Sequence, residues 1–113
     1  MKIKIRNMKS NRSGEEVKNQ VLVWAEDGKK TVGSFFSYET LIFSYEVNED
    51  SEERSLMFSR KYDYSKTTIT YRNQALEQIS GEKVTSGDVK NWIETGEAVF
   101  WGNSVKVRLE NDY

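Results

Sequence analysis

The chain opens on an alternation. Met1, Ile3 and Ile5 fall on one side of an extended segment, and Lys2, Lys4 and Arg6 fall on the other. That period of two predicts a half-buried strand over Met1–Asn7, with the apolar residues turned inward. Asn11–Gly14 has the composition of a turn. Val21–Ala25 follows as a second strand, with Trp24 at its edge. Asp27-Gly28 signals a tight turn, leading into Thr31–Ser37 and Tyr38–Tyr45, which are rich in β-branched and aromatic residues. Gly33 within this run marks a bulge or a close approach of another group. Leu56–Arg60 reads as the returning strand, pairing with Tyr38–Val47 across the loop between them.

The period changes at Tyr62–Gly81. A helix over about residues 65–80 gathers Thr68, Ile69, Tyr71, Ala75, Leu76 and Ile79 on one side and leaves Lys66, Thr70, Asn73, Gln74 and Glu77 on the other. Ser65 suits the N-cap and Gly81 the left-handed C-terminal position. Arg72 breaks the pattern, since it falls inside the apolar sector. Thr85-Ser86-Gly87-Asp88 has the spacing of a capping box ahead of a short helix over about residues 87–95. Val89, Trp92 and Ile93 share one face of it, and Gly96 stops it. Ala98–Trp101 and Ser104–Leu109 flank Gly102-Asn103, a two-residue hairpin signal. Glu110–Tyr113 is expected to fray. With no linker and no internal repeat, residues 1–113 are expected to form a single α+β domain. Its sheet should be mostly antiparallel, with five to seven strands, the main helix on one face and the short helix at an end.

Composition narrows the chemistry. The 113 residues include no Cys and no His, which removes disulfides, thiolate metal sites, cysteine nucleophiles and the commonest neutral-pH general base. Catalysis would fall to carboxylates, Lys, Tyr or hydroxyls, so a non-enzymatic binding protein without a cofactor is the stronger expectation. Hydrophobic residues make up 36% of the chain, so its 14 aromatic side chains must help build the core. Phe35, Phe43, Phe58, Trp92 and Phe100 are core candidates, whereas Tyr38, Tyr45, Tyr62 and Tyr64 are placed with hydroxyls toward water. No segment approaches the length of a membrane span, and MKIKIRN lacks the apolar block of a signal peptide; a soluble, cytosolic protein is expected.

The formal net charge is −1, from 17 basic and 18 acidic residues, so any charge-driven site must be a local patch. Two patches stand out. Lys2, Lys4, Arg6, Lys9 and Arg12 precede the first acid, Glu15. They suit a strip for phosphates, but more readily a strand whose Lys-rich outer face discourages edge pairing. Glu46, Glu49, Asp50, Glu52 and Glu53 put five carboxylates into eight residues. Their spacing does not fit the twelve-residue calcium loop, so no metal is assigned. A solvated hairpin loop is the default there, and docking onto a cationic partner comes second.

Asp63, Ser65, Thr67 and Thr68, flanked by Tyr62 and Tyr64, have the look of a hydroxyl active site. Without His, only Lys66 or a carboxylate is at hand as a base. Helix capping explains the cluster better, because it sits where the helical period starts. Arg72 leaves three readings open: paired with a carboxylate such as Asp63 to fix the helix on the sheet, exposed beside tyrosines at an interface, or snorkelling with its stem packed. The pairing is slightly favoured.

Several of these segments also carry a resemblance. Ser37-Tyr38-Glu39-Thr40-Leu41-Ile42, Tyr62-Asp63-Tyr64-Ser65-Lys66-Thr67-Thr68 and Tyr71-Arg72-Asn73 resemble the recurring pattern of a group of short, uncharacterised bacteriophage proteins. Ser13–Gln20 is similar to the segment that leads into that pattern, and the likeness runs over residues 12–98, with the DYS-x-TT piece its most specific part. Tyr62 stands where a Trp is usual, Phe43 where a small residue is usual and Ala75 where a large apolar residue is usual. The C-terminal hairpin looks like an addition. The resemblance implies a phage or mobile-element accessory protein acting in the host cytoplasm. Some proteins of that size and setting block a host defence nuclease complex by contact, as anti-CRISPR proteins do. The implied partner is then a host protein or ribonucleoprotein complex. On this reading Glu46, Glu49, Asp50, Glu52, Glu53, Tyr62, Tyr64 and Arg72 are the candidate contacts. The alternative is a nucleic-acid-binding accessory protein using Lys2, Lys4, Arg6, Lys9 and Arg12 with exposed aromatics.

Overall fold

The structure is a computed structural model and describes residues 1–110. Seven strands form one sheet: β1 (Lys2–Lys9), β2 (Glu16–Asp27), β3 (Lys30–Ser37), β4 (Thr40–Asn48), β5 (Arg54–Phe58), β6 (Glu97–Phe100) and β7 (Asn103–Leu109), with two helices, α1 (Lys66–Ser80) and α2 (Ser86–Thr95), between β5 and β6. The strand order is β1-β2-β3-β4-β5-β7-β6. Consecutive hairpins make the first five strands antiparallel, β7 joins β5 in parallel, and β6 closes the far edge antiparallel to β7. The fold is α+β, as the sequence predicts.

The helices lie on one face of the sheet. β2, β3 and β4 send Leu22, Phe35, Phe43 and Tyr45 to that face, and β5, β6 and β7 add Leu56, Phe58, Ala98, Phe100, Val105 and Val107. Ala75, Leu76 and Ile79 of α1 and Val89 of α2 close the core from above. Phe35 stacks on Phe43 at 5.7 Å, and Trp92 meets Phe100 edge-on at 5.3 Å. Rings thus fill the volume that a sequence short of aliphatic residues would otherwise leave empty. Tyr45, expected to show its hydroxyl to water, is instead buried in this layer at 7% exposure.

The helix ends are where the sequence places them. Ser65 Oγ accepts from the Thr68 amide at 3.1 Å, and Gly81 takes the left-handed conformation at φ 76° while its amide donates to the Glu77 carbonyl. Thr85 and Asp88 complete a reciprocal capping box at the start of α2. Gly33 lies against the Trp24 ring, which leaves no room for a Cβ. It is the close approach and not the bulge; the register break falls between Phe35 and Phe36.

Three local expectations are corrected. β2 is longer than Val21–Ala25, and Trp24 sits within it, packed on the core, because paired neighbours on both sides carry the strand past its apolar centre. The β6–β7 turn is Trp101-Gly102, both at positive φ (54° and 79°), with Asn103 already in β7. Glu110 is held, since its amide donates to the Phe58 carbonyl at 2.7 Å; the remaining residues expected to fray lie outside the described residues.

The largest correction concerns β1. The strand forms, but Met1, Ile3 and Ile5 are 82%, 60% and 68% exposed. Arg6 and Met8 face α1 instead: Arg6 Nη1 donates to Gln78 Oε1, and Met8 is fully buried. Alternation shows that two faces differ; it does not show which face receives the helix.

Candidate functional site

Because both helices cover the same face, the opposite face of the sheet has no second layer among the described residues. Register carries two rows across it. One runs Ile5, Val23, Ser34, Ser44, Met57, Arg108, and the other runs Ile3, Ala25, Val32, Glu46, Ser55, Lys106. Each row starts apolar at β1, turns polar in the middle and ends on a cation at β7. Val21, Phe36 and Leu41 extend the apolar part along β2, β3 and β4. An antiparallel sheet normally keeps its open face polar, so a contiguous apolar block there is the candidate contact surface.

The apolar block ends at β1, the sheet's first edge. Strand alternation puts Lys2, Lys4 and Arg6 on the helix side of that edge. A cleft of about 410 Å³ opens beside Lys2, Ile3, Lys4, Trp24 and Glu26. Farther along, Gln74 of α1 acts on the strand like a short neighbour. Its Oε1 accepts from the Lys9 amide at 2.8 Å, and its Nε2 donates to the Lys9 carbonyl at 2.7 Å. Among the described residues no comparable side chain takes up backbone groups between Lys2 and Asn7 on this edge. Arg12 lies beyond β1, in the turn closed by the Gly14 amide on the Ser10 carbonyl.

The acidic residues form a separate, braced turn. Asn48 Oδ1 accepts from the Asp50 and Ser51 amides, and the Asn48 amide donates to the Glu53 carbonyl. Two of the five carboxylates meet cations of the neighbouring hairpin: Asp50 pairs with Lys29 at 2.8 Å and Glu46 with Lys30 at 3.0 Å. That leaves Glu49, Glu52 and Glu53 as the projecting charge. Among the described residues no group of three or more carboxylates converges as a metal site would require.

Tyr62, Tyr64 and Arg72 stand at the other end of β5, about 13 Å of strand away from this turn. Tyr64 is 53% exposed, as is Tyr38 at 51%, but Arg72 is 1% exposed and so belongs to the interior. Its guanidinium donates to the Tyr62 carbonyl at 2.7 Å, to Asn73 Oδ1 at 3.0 and 2.8 Å and to Ser86 Oγ at 3.4 Å, with the Tyr62 ring 5.8 Å away. The structural reading holds, but not through the proposed carboxylate. Asp63 acts on Arg72 only as a nearby charge, while burial pushes the guanidinium down to about 10. Ser65 and Thr68 are likewise occupied. Ser65 Oγ donates to Thr68 Oγ1, which also meets Ser37 Oγ at 2.9 Å, so these hydroxyls cap α1 and fasten it to β3.

The residues singled out from sequence therefore fall into three separated places. The surface that sequence reasoning missed is the open sheet face. Its signal was present in Val21, Val23, Val32 and Phe36, but alternation along β2 and β3 does not say which face the helices cover. Among the described residues no helix is long and apolar enough to cross a membrane. No family model matches the chain, no curated protein matches it, and no solved structure matches its fold.

Proposed function

We propose that this chain is a non-enzymatic binding protein that recognises another protein through the apolar part of its open sheet face. We place it as a phage-encoded inhibitor of a host defence nuclease complex, of anti-CRISPR type, working in the host cytoplasm. The observation that carries the first part is the exposure of Ile3 and Ile5, 60% and 68%, in rows continuous with Val23, Ala25 and Val32. A surface of this kind gains by being covered, and its charged border can orient what covers it. The phage setting rests on the resemblance of residues 12–98 to short phage proteins. The absence of His and Cys supports a binding role over a catalytic one.

The test is phage challenge of bacteria that carry nuclease-based defence systems, with this chain expressed in the host. Parent protein should restore plaque formation against at least one system. An Ile3→Lys, Ile5→Lys variant that keeps its circular dichroism spectrum should not. Failure of the parent to protect phage against any such system overturns the reading.

The nucleic-acid reading keeps one observation of its own, the three cations Lys2, Lys4 and Arg6 on one side of an exposed strand. Binding of that origin must weaken by several decades between low and moderate salt. No binding to single or double strands at low salt removes it.

A further inference from the structure

We infer that the free edge of β1 is a docking site for an extended segment of a partner protein in which acidic and apolar residues alternate, added to the sheet as an eighth strand. The inference deepens the binding role proposed above and rests on it for its biological meaning.

Three observations carry it. The first is position: β1 is eight residues long and ends the sheet, and among the described residues no strand lies beyond its hydrogen-bonding edge from Lys2 to Asn7. Backbone groups along such an edge are a template for another chain. The second is the pairing of faces. A strand laid against β1 places its side chains beside those of β1 on each face of the sheet. On the helix side it would meet Lys2, Lys4 and Arg6; on the open side it would meet Ile3 and Ile5 and lengthen the rows through Ala25 and Val23. Carboxylates on one side and branched apolar residues on the other complement both faces at once.

The third observation excludes the nearest rival, a second copy of this chain. Two β1 strands joined antiparallel about a two-fold axis normal to the sheet would set Lys2, Lys4 and Arg6 opposite the same cations of the copy. Like charges directly opposite are destabilising. The cations thus exclude self-pairing while selecting an acidic partner strand, so the Lys-rich edge serves protection and recognition together. A nucleic acid would satisfy the cations but leave Ile3 and Ile5 uncovered and the edge amides unpaired.

The probe is a blocked synthetic peptide of about ten residues that alternates Glu and Val, the length needed to span β1. Three controls accompany it: an alternating Lys and Val peptide, a Glu and Val peptide of equal composition in blocks, and the first peptide N-methylated at every second residue. Binding is followed on full-length protein by titration, and its location by exchange protection of the β1 amides. The expected result is binding of the alternating acidic peptide with protection confined to the β1 region, and at least tenfold weaker binding of all three controls. Lys4→Glu should weaken the acidic peptide about tenfold and improve the Lys and Val peptide. Equal binding of the peptide with Glu and Val in separate blocks or of the N-methylated peptide, protection elsewhere, or no binding overturns the inference. So does binding of an oligothymidylate at the same amides in preference to the peptide. Plaque protection that survives Ile3→Lys and Lys4→Glu would sink this inference while leaving the inhibitor role standing. Peptide binding without any plaque protection would do the reverse.

Discussion

The Arg72 guanidinium holds the Tyr62 main-chain carbonyl at 2.7 Å while lying 5.8 Å from the centre of the same residue's ring. One buried cation thereby fastens the segment between β5 and α1 to the helix, and its remaining donors reach Asn73 and Ser86 at the start of α2. This explains how an arginine can occupy the apolar sector of α1. Each of its three nitrogens finds an internal acceptor, so the buried charge is met within the protein.

Arg72→Met keeps the volume but leaves the Tyr62 carbonyl and the Asn73 amide oxygen without their donor. It should cost about 1–3 kcal/mol in chemical denaturation. Arg72→Lys should also destabilise, because a single ammonium cannot serve acceptors on three residues. Tyr62→Phe, which keeps the carbonyl and the ring, should be close to neutral. Equal stability of Arg72→Met and parent would show that the network contributes nothing.

Gln74 faces away from the core in the sequence pattern, which would make Gln74→Ala nearly silent. Its two bonds to the Lys9 backbone change that expectation. Gln74→Ala should cost about 1 kcal/mol and raise hydrogen exchange at the Lys9 amide. Leu76→Ala, which empties a fully buried position, should cost about 2–5 kcal/mol. If the two variants match, the side chain of Gln74 is more than an edge plug.

Gln20 is fully buried on β2, and neither polar atom of its side chain finds a protein partner among the described residues. An unpaired amide in the interior is costly, and an apolar side chain of similar shape escapes the cost. Gln20→Met should therefore leave stability unchanged or raise it. A loss above about 1 kcal/mol would indicate that the amide is satisfied by an internal water.

These residues also show how much was legible. The helix limits, both caps and the strand sequence follow from local signals, since Ser65, Gly81 and the Thr85–Asp88 box act within a turn of themselves. What escaped depends on which layer packs where. The burial of Tyr45, the inverted faces of β1 and the open apolar face all follow from placing both helices on one side. Two further features use residues against type. Tyr38 and Glu39 make the β3–β4 turn at φ 50° and 68° without a glycine or asparagine. Trp101 is 72% exposed, yet its indole N–H donates to the Ile79 carbonyl at 2.8 Å and its ring lies over Gly81, closing the end of α1.

Two buried groups give stability opposite slopes at alkaline pH. Burial raises Tyr45 above its ordinary 10, with Arg54 pulling it back, so its contribution is complete below pH 10 and is lost as pH rises through the folded value. Burial lowers Arg72 from the ordinary guanidinium range to about 10, so its contribution has the other sign: it is complete only above that ordinary range and is lost as pH falls through about 10. Neither produces a slope near neutrality. Tyr45→Phe should remain within about 1.5 kcal/mol of parent at neutral pH and lose stability less steeply above pH 10. Parallel alkaline limbs for parent and variant would exclude Tyr45 as their cause.

The acidic turn offers the last test, and its geometry divides the charges. Glu46 and Asp50 are already paired with Lys30 and Lys29 in exposed contacts. Glu49, Glu52 and Glu53 project without such partners among the described ion pairs, so they are the charges a cationic partner surface would feel. Exposed charges steer association and set orientation more than they hold a complex together or stabilise a fold. Replacing Glu49, Glu52 and Glu53 with Gln should accordingly leave the melting temperature almost unchanged. It should slow capture of the partner and flatten the salt dependence of the association rate, with little effect on dissociation. Replacing Glu46 and Asp50 instead should have a smaller effect on association, because it frees Lys30 and Lys29 as it removes negative charge. If the triple variant associates as fast as the parent and with the same salt slope, the turn is only a solvated connection. Recognition would then lie wholly with the open sheet face and β1.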